Sequence, residues 1–466
     1  MRRNIEKSLL EWKSNPRRSP LLILGARQVG KTYAVDTLFG PSSFDKMIKV
    51  DLRSDQASRR YIKNHPDAEK IIRYLENRYE TPIDENTLLF FDEAQEAVQI
   101  LTAAKYFKQN FPKIPVIITG SLVRVKLKQL ESENGGERIA LDPEIEPENQ
   151  DGHNNFLYPV GCLQELSMYP LTFDEFLLAY RPTLYETVKN SFISKTPLEK
   201  ELHDLAIEAF FLYLQVGGMP NAVMAFLETS SPVKARVVLR GIFDSYLSDM
   251  GLYQLSSATI ARSRMIYESI FTQLNKENKN FKIADIEKGK RFRDYLNPFD
   301  WLVLARLVYK TNLAKERVVL PLAPENDSLF RVYLPDCGLF AYESKMNLSD
   351  FIPSFETNSF SGIFIENYVA EELSARGIEL FYWKGKSSSE FEFLLDIDSK
   401  VVPLDAKKGR GGLDSLKVFQ NFNPLHFAIK VSANRYGYDE TRKILTLPFY
   451  CLPFYLDELK EQGRIV

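Results

Sequence analysis

The chain has 466 residues, 44% of them hydrophobic, with a formal net charge of −2. That length allows about three domains with packed cores. The near-neutral charge excludes bulk polyanion binding, so any nucleic-acid contact must come from local basic patches. Cys162, Cys337 and Cys451 lie too far apart for metal-ligand spacing and read as buried thiols in a reducing compartment. His65, His153, His203 and His426 form no ligand pattern. The start, Met-Arg-Arg-Asn-Ile-Glu, lacks the apolar core of a signal peptide, and no apolar run is long enough for a bilayer. The expected location is cytoplasmic, with no membrane partner.

In chain order, residues 1–20 predict an amphipathic helix with Ile5, Leu9, Leu10 and Trp12 on its apolar face, ended by Pro16 and Pro20. Leu21 to Leu24 reads as a buried strand. The segment Gly25-Ala26-Arg27-Gln28-Val29-Gly30-Lys31-Thr32 then has the G-x-x-x-x-G-K-T spacing of a phosphate loop. Backbone N–H groups must turn inward to cradle phosphate oxygens, which needs glycine where the chain comes close. The helix beginning at Lys31, with the helix-prone run Thr-Tyr-Ala-Val-Asp-Thr-Leu-Phe over 32–39, aims its positive end at the same phosphates. Lys31 is expected at the β- and γ-phosphates and Thr32 on Mg²⁺. The loop residues from Gly25 to Tyr33 are therefore candidate contacts to ATP or ADP.

Met47 to Leu52 predicts a second strand, and residues 55–80 predict helix with Ile71, Ile72 and Leu75 on one face. Leu88 to Phe91 followed by Asp92 and Glu93 reads as a buried strand ending in two carboxylates. Adjacent acids at a strand end are costly, which points to chemistry: Asp92 on Mg²⁺ and Glu93 polarising the attacking water. An apolar run that simply ends in two acids is the structural alternative. Leu101 to Phe111 predicts a helix, and Pro115 to Gly120 another strand. Thr119 or Ser121 at its end is the candidate sensor between the carboxylates and the γ-phosphate; a hydroxyl capping the next helix is the alternative.

Residues 131–156 are acidic and rich in chain breakers, which predicts a long surface insertion. Leu166 to Tyr180 predicts a strand running into a helix capped at Thr172. Residues 183–250 predict helices, broken at Gly217-Gly218 with Pro220 in the first turn of the next one. That break suggests a hinge, with a static helix start as the alternative. Residues 260–335 predict helices near 262–275, 282–288 and 290–305, then strands near 306–320 and 329–334, the order of a winged helix. Lys288, Lys290, Arg291 and Arg293 cluster at its third helix, as phosphate contacts or as a solvated helix start. Pro298 is expected to bend that helix, and Asp294 and Asp300 to repel phosphate. From Asp336 onward the pattern is α/β, with Glu366 on a helix, Glu392 on one strand and Asp405-Ala406-Lys407 on another.

Taken together, this order of motifs resembles a bacterial and archaeal family of AAA+ P-loop ATPases that carry a C-terminal domain related to PD-(D/E)XK nucleases. The similarity rests on Gly-Ala-Arg-Gln-Val-Gly-Lys-Thr at 25–32, Thr-Gly-Ser-Leu at 119–122, Tyr-Pro-Leu-Thr-Phe-Asp-Glu-Phe at 169–176 and Val-Gly-Gly-Met-Pro at 216–220. Leu-Pro-Asp-Cys-Gly-Leu at 334–339 and Gly-Ile-Phe-Ile-Glu-Asn at 362–367 extend it. The implied fold is α/β: a P-loop ATPase core with a parallel sheet over 1–182, a helical lid over 183–255, a winged helix over 256–335 and a restriction-endonuclease-like domain over 336–466. The implied activity is ATP hydrolysis with Mg²⁺ by a nucleotide-dependent switch, in which Lys31, Glu93 and Ser121 act on the phosphates and Pro220 packs on the adenine. DNA, a second copy of the chain or a protein partner would be its associates. The alternatives are a metal-dependent DNA nuclease gated by ATP and a non-catalytic ATP-binding scaffold. In the nuclease-like site Glu366, Glu392 and Asp405 would bind metal and Lys407 would position water, with Lys407, Lys408 and Arg410 facing phosphate. The family's basic residue before Tyr-Pro-Leu is replaced here by Cys162 after Gly161, which leaves only Arg124 and Arg138 as arginine-finger candidates.

Overall fold

A computed structural model describes residues 1–133, 161–251, 256–346, 361–385, 389–406 and 415–465. Most of the acidic insertion, with Arg138, and the segment carrying Lys407, Lys408 and Arg410 lie outside the described residues. The chain divides into two compact units, residues 2–168 and residues 169–466 with Met1.

The first unit is built on strands β1 (Leu21–Leu24), β2 (Lys46–Asp51), β3 (Thr87–Asp92), β4 (Val116–Gly120) and β5 (Gln164–Ser167). They form one sheet in the order β2-β3-β4-β1-β5, with every pairing parallel. Parallel strands are covered on both faces, which explains why β1 and β3 are continuous apolar runs rather than alternating ones. Residues 55–80 form two helices rather than one, Gln56–Asn64 and Ala68–Tyr79. Pro66 disfavours helical backbone at His65, and Asp67 recaps the chain by accepting the Lys70 N–H at 3.0 Å.

The second unit holds everything expected as lid, winged helix and C-terminal domain. Helix Phe173–Tyr180 starts in a capping box formed by Thr172 and Glu175, as its sequence predicts. Helices Pro182–Ile193, Lys200–Val216, Pro220–Thr229 and Pro232–Asp249 follow. An eight-stranded sheet is made from β6 (Tyr309–Leu313), β7 (Phe330–Tyr333), β8 (Phe381–Lys384), β9 (Glu390–Ile397), β10 (Lys400–Ala406), β11 (Ala428–Ser432), β12 (Gly437–Asp439) and β13 (Ile444–Pro448). Its order is β12-β13-β11-β10-β9-β8-β6-β7.

Three expectations change here. First, β6 and β7 do pair antiparallel, but β6 also pairs parallel with β8 through Asn312–Phe381 and Leu313–Tyr382. The strands expected as a wing are thus the edge of the C-terminal sheet, and a boundary at 335 would cut that sheet. Second, Pro298 does not bend a long third helix. The segment is a 3₁₀ turn, Phe292–Asp294, then helix Leu296–Leu304 with Pro298 in its first turn, where a missing N–H costs nothing. Asp294 accepts the Arg291 N–H at 2.9 Å, so it closes a turn. The helix expected near 282–288 is a 3₁₀ turn over Ile283–Asp285.

Third, Gly217 and Gly218 are explained by crowding rather than by a hinge. A Cβ on Gly218 would sit 1.9 Å from the Leu171 carbonyl oxygen, and one on Gly217 would sit 2.4 Å from an Asp336 carboxylate oxygen. Gly218 donates to Asp336 at 2.6 Å, and the Leu171 N–H donates to the Gly218 carbonyl at 2.7 Å. Buried Tyr213 donates to the Leu171 carbonyl at 2.7 Å. Here Tyr-Pro-Leu, Gly-Gly-Met-Pro and Pro-Asp-Cys-Gly meet in one hydrogen-bonded crossing.

Candidate active site

The phosphate loop follows β1 and turns through left-handed backbone at Gln28 (φ 67°) and Gly30 (φ 95°). Gly25 leaves no room for a side chain: its Cβ would lie 2.3 Å from the Met168 carbonyl oxygen. Buried Lys31 donates to Gly25 O at 3.0 Å, Ala26 O at 2.8 Å and Ser121 Oγ at 2.9 Å. Its ammonium therefore lies against the rim of the loop. Val29 is buried and Arg27 half-buried, while Tyr33 is exposed on the helical run Lys31–Tyr33 that opens behind the loop.

The sheet order explains how the polar groups meet. β4 lies between β1 and β3, so the end of β4 faces both the phosphate loop and the acids. Both sensor candidates are engaged there. Ser121 takes the Lys31 bond, and Thr119, fully buried, donates to Asp92 Oδ1. Thr32 Oγ1 donates to Asp92 Oδ2 at 2.7 Å, so the two groups expected at Mg²⁺ are adjacent. Glu93 sits in left-handed backbone (φ 55°), its N–H donating to Asp92 Oδ1 at 2.9 Å and its side chain accepting from Gln95 Nε2. Non-glycine residues in this region carry strain that clusters at functional sites. Burial first, then the charge of Asp92, pushes the Glu93 carboxyl above the usual carboxylate range, although Gln95, Lys31 and Arg27 act the other way.

Two contributors carry no sequence signal. Arg3, before the first helix, donates to Val29 O at 3.0 Å and fastens the loop from 26 positions away. Gln95 follows the acids without any motif, yet holds Glu93 and, with Val123, crowds Gly120, whose Cβ would stand 2.4 Å from Val123 Cγ2 and 2.7 Å from Gln95 Oε1. Arg124 pairs with Glu165, both partly exposed, in the same unit. Pro220 opens helix Pro220–Thr229 of the second unit.

The nuclease-like residues lie in the second unit. Glu366 is on helix Ser361–Ala375, Glu392 on β9 and Asp405 on β10, and all three are buried. Glu366 Oε1 accepts from Lys279 Nζ, and Glu366 Oε2 from Tyr333 Oη at 3.4 Å. Lys279 Nζ is also 3.5 Å from Glu390 Oε1, and Arg331 donates to Glu390 Oε2 at 2.7 Å. Glu392 Oε2 accepts the Ala406 N–H at 3.3 Å. Burial would lower the Lys279 pKa, but Glu366, Glu392 and Glu390 outweigh it and hold the pKa above that of an ordinary lysine. Burial raises Glu366, opposed mainly by Lys279. Among the described residues, no group of three His, Cys, Asp or Glu is arranged to hold a metal ion. Nor is any helix among them long and apolar enough to cross a membrane.

Comparison with known proteins agrees with the first unit's geometry. Residues 17–147 match a family described as an AAA domain. Residues 207–350 and 361–450 match two families described only as domains of unknown function, DUF8612 and DUF4143. No curated protein matches the chain. A solved structure, the Walker-type ATPase PABY2304 of Pyrococcus abyssi, is 14% identical, with a TM-score of 0.40, covering 74% of this chain and 95% of its own. By the family match over residues 17–147, the first unit carries an AAA-type domain.

Proposed function

We propose that the chain is a nucleotide-driven switch that binds ATP with Mg²⁺ and hydrolyses it at the loop between β1 and the Lys31 helix. The observation that carries this is the convergence of Lys31, Thr32, Asp92, Glu93 and Ser121 through the hydrogen bonds Lys31–Ser121 and Thr32–Asp92. A hydroxyl and a carboxylate 2.7 Å apart are hard oxygen donors that fit Mg²⁺. When bound, Mg²⁺ would neutralise charge on the β- and γ-phosphates. Lys31 leaves its loop carbonyls for the same phosphates, Thr119 keeps Asp92 in place, and Ser121 marks the γ-phosphate. Glu93 accepts the proton of the attacking water, and its raised pKa makes it a stronger base near neutral pH. Action on nucleic acid would rest on the exposed Lys288, Arg291 and Arg293 and would be lost steeply with salt.

The test is Glu93→Gln. ATP affinity is expected within a few-fold of wild type, with turnover lower by about 10²–10⁴-fold. Wild-type turnover in that variant would remove Glu93 as the base. Ser121→Ala is expected to lower turnover by about tenfold or more with binding little changed, measured by phosphate release at saturating ATP. An unchanged rate would leave Ser121 as a partner of Lys31 only.

A further inference from the structure

The acidic residues around Lys279 invite a divalent metal, but both oxygens of Glu366 and of Glu390 are already committed. Glu366 uses Oε1 for Lys279 and Oε2 for Tyr333. Glu390 uses Oε1 for Lys279 and Oε2 for Arg331. Glu392 uses Oε2 for the Ala406 N–H. Alternation along β9 puts Glu390 and Glu392 on one face, so two cations of the chain itself meet three carboxylates. A metal needs several of those oxygens turned toward one point and free of other donors. Glu366 and Glu390 as folded offer no such oxygens.

The lysine is held in place by its surroundings. It comes from a turn 87 positions before Glu366. The segment is fastened just after it: Tyr382 Oη donates to the Asn280 side chain at 2.7 Å, the Phe281 N–H to Phe330 O at 2.8 Å, and the Lys282 N–H to the Gln273 side chain at 2.6 Å. Arg331, nearly fully buried, lies 4.2 Å over the Tyr382 ring and closes the other side.

We propose that Lys279 is the resident cation of this acid cluster, standing where a divalent metal would otherwise sit, and that the cluster takes up Mn²⁺ or Mg²⁺ only when that lysine is removed. Removing one partner of a buried ion pair leaves uncompensated negative charge, and a divalent ion is the natural replacement. The second unit would then be an ion-paired fold that does not use metal at these residues.

The test is Mn²⁺ binding to the full chain without nucleotide, followed by electron paramagnetic resonance. Wild type and Glu366→Gln are expected to bind alike. Lys279→Met, which keeps the aliphatic stem, is expected to gain a site binding Mn²⁺ about tenfold or more tightly than wild type, and Lys279→Met/Glu366→Gln to lose it. Mn²⁺ binding by wild type that Glu366→Gln or Glu392→Gln abolishes would overturn the proposal. So would a folded Lys279→Met chain that gains nothing. The wild-type comparison decides even if Lys279→Met does not fold. The ATP site is unaltered in every variant, so failure here would leave the ATPase reading untouched.

Discussion

Lys31→Ala is expected to abolish ATP binding, lowering affinity by about 100–10,000-fold. The ammonium makes three hydrogen bonds, to Gly25 O, Ala26 O and Ser121 Oγ, on the rim of the loop. In the nucleotide complex it exchanges the two carbonyls for phosphate oxygens. Hydrogen bonds to a charged group contribute about 1.5–3 kcal/mol each, and two of them correspond to roughly 3–6 kcal/mol, or about 100–10,000-fold in affinity. Alanine also removes the formal positive charge that the motif's lysine aims at the β- and γ-phosphates. The loop itself should survive, because Gly25, Gly30 and the Arg3–Val29 bond shape it independently of the lysine. Titration with a fluorescent ATP analogue measures the loss, with circular dichroism as the check on folding. Affinity within tenfold of wild type would mean that this loop does not bind the phosphates.

What could be read from the sequence was what is local. The phosphate loop is legible because three glycine and lysine positions must stand at fixed spacing to bring backbone N–H groups and one ammonium together. β3 is legible because a strand covered on both faces must be apolar throughout, and the two acids then mark its end. The capping box at Thr172 and Glu175 is legible for the same reason, since it needs only four consecutive residues. Pairings across long separations leave no such trace. Nothing in Tyr309–Leu313 says that its neighbour is β8 as well as β7, so short alternating strands pass for a wing. Nothing in the polar stretch around Lys279 says that its ammonium reaches Glu366. Reading Glu366, Glu392 and Asp405 alone counts the acids and misses the cations facing them. The Gly-Gly pair is a third case: flexibility and close approach ask for the same residue, and only the atoms around it tell them apart.

That distinction leads to opposite expectations for two glycines in the same unit. Gly218→Ala is expected to destabilise the second unit by at least about 3 kcal/mol, whereas Gly241→Ala should be neutral or stabilising. At Gly218 the new methyl carbon would stand 1.9 Å from Leu171 O and 2.7 Å from Leu171 N, both backbone atoms that no rotamer change can move. Moving that strand of backbone would break the Leu171–Gly218 and Gly218–Asp336 hydrogen bonds and disturb Tyr213, which donates to the same carbonyl. Asp336 would then be left buried with fewer of the N–H donors that now hold its charge, a costly state for a carboxylate. Gly217 is no refuge, since its backbone (φ 70°, ψ −169°) belongs to a region essentially reserved for glycine. At Gly241, inside helix Pro232–Asp249, a Cβ would meet nothing within 4 Å. Alanine there gains up to about 1 kcal/mol of helix propensity. Thermal unfolding separates the two: Gly218→Ala should lower the second unit's transition by roughly 6–12 °C, and Gly241→Ala should leave it unchanged or raise it. A Gly218→Ala chain that melts with the wild type would show that this crossing yields easily, and would restore the hinge as the reason for its glycines.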